Sequence, residues 1–288
     1  MGVDSYRGRF AYERKYRTVN DSEKININRE VEYRLEHSQP HGTKYIAWLG
    51  VIIVIGTWEI AARGAWVPAL YLPAPTAIFA ELIRLMGHEL SSALLASARR
   101  WLVGVGAGSM IGIFAALLCG THRNWRAALE PWIHFLYPIP KIAILPLIIL
   151  WLGIGEVPKY VVIALGALFP VFLTTMEGID HVPRIYYEVV AIYPVSRMYF
   201  LRKILVPAIV PSIFAGLRLA TGTGLVLLVA AEMIAADTGL GALILHYGDL
   251  MLTTSLMACV LLLAFIGLVL QKVLTMWENY LLRWRQPH

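Results

Sequence analysis

Residues 184–218 read RIYYEVVAIYPVSRMYFLRKILVPAIVPSIFAGLR. The opening residues place charged and apolar side chains at helical spacing. Tyr193-Pro194 interrupts them, and a second short amphipathic piece follows before an apolar run begins near Pro207. Proline breaks a helix because it lacks the N–H and its ring clashes with the preceding turn. Two short amphipathic helices set between apolar runs form a structured surface on which another protein can act, and the flanking sequence decides what kind of chain presents it.

A helix that spans a bilayer needs about 20 mostly apolar residues. Working outward from the central stretch, six such runs are found: 45–62, 94–119, 131–153, 160–176, 207–235 and 253–274. The second carries Gly104, Gly106, Gly108 and Gly112, small residues that let neighbouring helices approach closely. The third contains Pro138, Pro140 and Pro146, which predicts a bent or broken helix. Composition agrees: of 288 residues 58% are hydrophobic and 15% charged, with mean hydropathy +0.63. A soluble domain is about 45–50% apolar and about 25% charged, so a water-soluble globule is excluded, as is a disordered chain. Cys119 and Cys259 each sit inside an apolar run, which excludes a disulfide scaffold. The first run follows 44 polar residues and so does not read as a cleavable signal peptide. The predicted fold is all-α: a polytopic membrane protein with six transmembrane helices.

Lysine and arginine orient it. With the N-terminus inside, the inside segments hold 18 Lys+Arg and the outside segments only Arg63, Arg84 and Lys159. That asymmetry predicts cytoplasmic N- and C-termini. Residues 1–44 then form a polar cytoplasmic tail, 45–275 the six-span domain and 276–288 a basic cytoplasmic tail. Segment 75–90, with Ile78, Phe79, Leu82, Ile83, Leu85 and Met86 at helical spacing, predicts an amphipathic helix on the outer face. The formal charge of +6 is read as loops gripping an anionic inner leaflet rather than nucleic acid, since no nucleic-acid motif accompanies it.

No enzyme signature is present: no phosphate-binding loop, no nucleophile elbow, and no His/Cys grouping with metal-ligand spacing. His122, His134, His181 and His246 are scattered near span ends. The chain is therefore expected to hold no catalytic residue, metal or cofactor, and any ATP must be hydrolysed by another chain. The ionisable residues near or within spans include Glu59, Arg99, Arg100, Lys141, Arg218 and Glu232, and such groups usually face a bundle interior or a cavity. Snorkelling explains Glu59 and Arg218 equally well; Glu232 is open to a structural hydrogen bond or a pathway role. Thr221 and Thr223, with Gly222 and Gly224, suit either close helix packing or passage of a solute. Pro138, Pro140, Lys141 and Pro146 fit either a plain kink or a pathway lining, because the carbonyls freed by a broken helix must meet water or protein.

The central stretch resembles the EAA loop of permease subunits of ABC importers. Glu188 holds the Glu position, Val189 and Val190 replace the two alanines and Pro194 the glycine. Ser196 and Arg197 follow, and Val206-Pro207 stand where Leu-Pro is expected. YLPAPTAIFAELI (71–83), YPIPKIAILPLIILWLGIGEVPK (137–159) and GLRLATGTGLVLLVAAEMIAADTGLG (216–241) are similar to permeases of the nitrate, sulfonate, taurine and bicarbonate subgroup. The resemblance covers about 45–275.

It implies a type I ABC importer permease fold, with a coupling loop at about 179–206 seated on the ATP-binding subunit through Glu188, Val189, Val190, Pro194, Ser196, Arg197 and Pro207. It further implies two ATP-binding cassette subunits that use ATP and Mg, a second permease copy in a homodimer, and a periplasmic or lipid-anchored substrate-binding protein. The place implied is the bacterial cytoplasmic (inner) membrane, and the substrate a small anion. An ABC permease for another small solute, an aromatic acid or a pyrimidine, is the alternative. An ATPase-independent secondary transporter is the reading from a different class, although the inverted repeats and midplane acidic groups of ion-coupled transporters are not evident.

Overall fold

The computed structural model describes residues 43–64, 66–87, 90–192 and 195–283. The predicted N-terminal tail, apart from its last two residues, and Pro194 lie outside the described residues. The chain divides into two units, 1–60 and 61–288. In the first, helix α1 (Thr43–Arg63) carries the first predicted span. Thr57 within it donates its hydroxyl to the carbonyl of Val54 at 2.9 Å, satisfying a polar group in an apolar helix.

The second unit contains helices and connecting turns and no strand among its described residues. Its elements are α2 (Pro75–Met86), α3 (Leu90–Thr121), α4 (Arg123–Leu136), a 3₁₀ turn (Lys141–Ile144) running into α5 (Leu145–Leu152), α6 (Glu156–Asp180), α7 (Arg184–Ile192), α8 (Arg197–Phe200), a π turn (Leu201–Leu205), α9 (Val206–Ala235), α10 (Leu240–Asp249) and α11 (Thr253–Leu281). Among the described residues four helices, starting at Leu90, Glu156, Met198 and Thr253, are long and apolar enough to cross a membrane. A bent pair, Arg123–Leu136 with Lys141–Leu152, makes a fifth candidate. These carry predicted spans two to six.

The third predicted span differs from its expectation. It begins eight residues earlier and turns through 92° at residues 137–140. Pro138 and Pro140 force the break, whereas Pro146 sits at the start of α5, where its missing N–H costs nothing. Helix α10 lies between the fifth and sixth apolar runs, outside the helices that the sequence predicts. Gly239 (φ 136°) and Gly153 (φ 80°) take the left-handed backbone that the turns before α10 and after α5 require.

Helix α6 is the hub. The central window of α6 is 61% buried against 17% for α11, and its most extensive contacts are with α3 and α9. The glycine stripe on α3 makes the first of these possible. A Cβ on Gly108 would lie 2.1 Å from the Ala164 carbonyl oxygen, and one on Gly112 2.7 Å from that of Leu168. Gly104 meets Ile163, but Gly106 faces open space, so spacing by four, not glycine content, marks the contact face. Two apolar clusters lie along α6. Val162, Ile163, Ala167 and Val171 join Val105, Leu145, Ala220 and Leu228; Phe172, Met176 and Ile179 join Ala116, Leu205 and Ile209. Pro170 lies inside the continuous helix α6, and Thr174 donates to its carbonyl at 2.9 Å.

Helix α2 packs on α11 through buried Ile78 and Leu85, while Phe79, Ile83 and Met86 remain exposed, so its apolar residues divide between two faces. Glu81 accepts from Arg84 at 2.6 Å and from Ser255 at 2.6 Å. The Arg84 guanidinium, helped by the Ser255 hydroxyl, holds the Glu81 carboxyl down to about 2 against the opposing effect of burial. Arg218 pairs with Glu278 of α11, rather than with Glu232 or with lipid phosphate alone.

Candidate translocation site and coupling surface

The break after α4 opens a cavity of about 640 Å³. Pro138, Pro140 and Lys141 line one side, Gly166, Phe169 and Pro170 of α6 a second, and Gly222, Thr223, Val226 and Leu227 of α9 a third. Lys141 is the one cation lining it among the described residues. Its ammonium donates to the Tyr137 carbonyl and stands 4.6 Å from the Phe169 ring centroid and 5.0 Å from that of Tyr137. Aromatic faces stabilise a cation electrostatically without neutralising it. The Thr223 hydroxyl donates to the Gly166 carbonyl at 3.0 Å and bridges α9 to α6. A Cβ on Gly222 would meet nothing within 4 Å, so the cavity reaches that backbone directly. Largely apolar walls with one ammonium suit a small solute carrying negative charge and some apolar surface.

Four of the seven residues singled out for the pathway, Pro138, Pro140, Lys141 and Thr223, therefore share one cavity. The other three stand apart from it. Pro146 is exposed beyond the bend, and Thr221 is buried with its hydroxyl bonded to the Leu217 carbonyl at 2.9 Å.

Glu232 is completely buried in an ionic cluster at the far end of α9. Arg100 of α3, 3% exposed, reaches Glu232 at 2.8 Å and Glu156 of α6 at 2.7 and 2.8 Å. Lys159 bonds Glu156 at 2.8 Å. Ser97 donates to Glu232 and accepts from the Leu240 amide, while the Gly241 amide also bonds Glu232 at 2.9 Å. Every charge here is paired and hydrogen-bonded, which is what a buried carboxylate demands. A Cβ on Gly239 would strike the Glu232 carboxylate at 2.5 Å, so glycine is needed there for space as well as backbone. The cluster ties α3, α6, α9 and α10 together.

The other end of the unit presents α7. Glu188 is exposed and lines a cleft of about 410 Å³ with Gly120, Arg126, Ile179, Asp180, Val182 and Arg184. Val189 and Val190 fall on α7, Val190 being partly buried. Ser196 accepts from the Tyr199 amide at 3.2 Å and so caps α8, which Arg197 opens. Pro207 stands in the first turn of α9. The second amphipathic piece, from Arg197, thus runs through a π turn straight into the span. Gly166 and Phe169, which have no polar signature, and the pairing of Arg126 with Asp180, 54 residues apart, gave no signal in the sequence.

Residues 108–286 match the family model described as binding-protein-dependent transport system inner membrane component. SsuC of Bacillus subtilis (strain 168), named for aliphatic sulfonates transport, is 33% identical, the match covering 86% of this chain and 91% of that protein. The taurine transport system permease protein TauC of Escherichia coli (strain K12) is 30% identical over 87% of this chain and 94% of its own. The nitrate import permease protein NrtB of Synechocystis sp. (strain ATCC 27184 / PCC 6803 / Kazusa) is 27% identical over 80% and 86%. Among solved structures, a chain of the MetNI methionine ABC transporter in inward-facing conformations aligns with a TM-score of 0.52 at 17% identity, covering 69% of this chain and 98% of that one. That likeness concerns the fold.

Proposed function

The chain belongs to the family of binding-protein-dependent transport system inner membrane components, and from that premise we propose that this multi-pass permease of an ABC importer passes a small anion of the sulfonate, taurine, nitrate or bicarbonate kind. The observation that carries the anion is Lys141, beside two aromatic rings in the lining of a largely apolar cavity. The related permeases named for sulfonates, taurine and nitrate support the same class. The pathway in this reading runs past Pro138, Pro140, Lys141 and Thr223, while Pro146, Thr221 and Glu232 shape the helices around it.

The working assembly is a homodimer of this chain with two ATP-binding cassette subunits and a periplasmic or lipid-anchored binding protein, in a bacterial cytoplasmic membrane with both termini cytoplasmic. All six predicted spans, α1 included, cross the bilayer. The chain itself binds no cofactor and performs no covalent chemistry; ATP and Mg are used by the partner. Helix α7, through Glu188, Val189 and Val190, sits on the ATP-binding subunit, with Pro194, Ser196, Arg197 and Pro207 shaping the loop and its return to α9. ATP binding favours one of two packings of the spans, and the bias is the difference in partner affinity between them.

Uptake by the reconstituted complex across nitrate, bicarbonate, taurine, short alkanesulfonates, aromatic carboxylates and neutral pyrimidines tests the substrate class. Anions should be taken up and should stimulate ATP hydrolysis; stimulation only by a neutral or cationic compound would refute it. The apolar walls favour a second reading, a permease for an aromatic acid, which the same panel separates.

A further inference from the structure

Helix α4 begins at the coupling surface and ends at the bend cavity. Arg126, in its first turn, directs Nη1 and Nη2 to the two carboxylate oxygens of Asp180 at 2.7 and 2.8 Å, and Nε to Glu130 at 2.9 Å. Asp180 is the last residue of α6, and α7 starts four residues later. Helix α4 buries none of its described side chains completely; Leu129 and Ile133 rest shallowly on the core cluster around Phe172 and Met176. The fork to Asp180 is thus the two-point attachment of its first turn to α6, beside the link to α3 through His122 and the Cys119 thiol on the Trp125 carbonyl.

From this one point two helices run to opposite sides of the cavity. The 14 residues of α4 rise about 21 Å at 1.5 Å each and deliver Tyr137, Pro138 and Lys141. Helix α6 runs back to Pro170, Phe169 and Gly166. Each carries an internal proline, Pro131 and Pro170, where a helix yields most easily. We propose that Arg126 and Asp180 form a positioning clamp through which displacement of α7 reaches both walls of the bend cavity together. This rests on the reading of the chain as an ABC permease.

The physical chemistry separates this role from a stabilising one. The side chains are 36% and 45% exposed, and an ion pair in that setting adds little to stability. A bidentate guanidinium–carboxylate pair nevertheless fixes orientation, which a single contact cannot. Cutting the pair should leave the fold intact and let α7 and α6 move without the start of α4.

Spin-label distances in the full complex, with one labelled permease copy and its ATP-binding subunits, test the clamp without knowledge of the substrate. Leu102→Cys on α3 is the reference, paired with Phe135→Cys near the end of α4 or with Ile192→Cys at the end of α7; all three positions are exposed. On adding a non-hydrolysable ATP analogue, both distances should shift. With Arg126→Ala the Ile192 shift should persist and the Phe135 shift disappear, at an unchanged melting temperature. Arg126→Lys, which keeps the charge but not the fork, should reduce the Phe135 shift, and exchanging the pair (Arg126→Asp with Asp180→Arg) should restore it. A Phe135 shift that survives Arg126→Ala overturns the clamp and leaves the importer reading standing. No shift at either position in the unmutated complex overturns both.

Discussion

Arg100 and Glu232, 132 residues apart in the chain, meet at 2.8 Å with side chains 3% and 0% exposed, and Glu156 takes the other edge of the same guanidinium. A buried pair of this kind is costly to break from one side, because the remaining charge has no water to turn to. Glu232→Ala should lower stability by about 3–5 kcal/mol, seen as a clear drop in the melting temperature of the detergent-solubilised protein. Glu232→Gln, which keeps the shape and an acceptor for Ser97, should fall between. An unchanged melting temperature in Glu232→Ala would mean that the cluster does not hold α3 to α9.

The close approach of α3 and α6 makes a prediction by contrast. Gly108→Ala forces a methyl into the Ala164 carbonyl and should cost about 1–3 kcal/mol. Gly106→Ala, two residues away on the open side, should be neutral or slightly stabilising, since alanine is the better helix former. Equal melting temperatures for the two variants would remove the stripe from the interface.

Much of this arrangement was legible in the sequence. Apolar length placed the helices, the prolines marked the break before Lys141, and the glycine-rich run 104–112 marked a helix that packs closely, though not which glycines face the neighbour. The 92° angle was not legible, because proline shows where a helix fails but not where the chain goes next. Helix α10 was hidden by its brevity, and Glu232 kept two readings because its partners Arg100 and Ser97 are distant in sequence. The cavity was half legible: Lys141 and the Gly222-Thr223 pair stand out, while Gly166 and Phe169 gain their meaning only when α6 and α9 meet.

Gly222 offers a test of the cavity itself. A Cβ there meets no atom within 4 Å and faces the cavity, so Gly222→Leu should leave expression and melting temperature unchanged. Uptake in the reconstituted complex should fall at least tenfold. Normal uptake in this variant would place the pathway elsewhere.

Glu188 tests the coupling surface. It is exposed on α7, so Glu188→Arg should leave yield and monodispersity unaffected, because an exposed helical charge contributes little to the fold. Binding-protein-stimulated ATP hydrolysis should drop sharply. Full stimulation in the variant would reduce Glu188 to a solvated helix charge.

The most direct test asks what drives transport. In proteoliposomes containing this chain, its ATP-binding subunit and its binding protein, uptake of the anion found in the substrate panel is measured with enclosed ATP, with enclosed ADP, and with a proton ionophore. Uptake that requires ATP and ignores the ionophore is the predicted result; uptake that persists with ADP and collapses with the ionophore would make the chain an ion-coupled transporter and contradict the account.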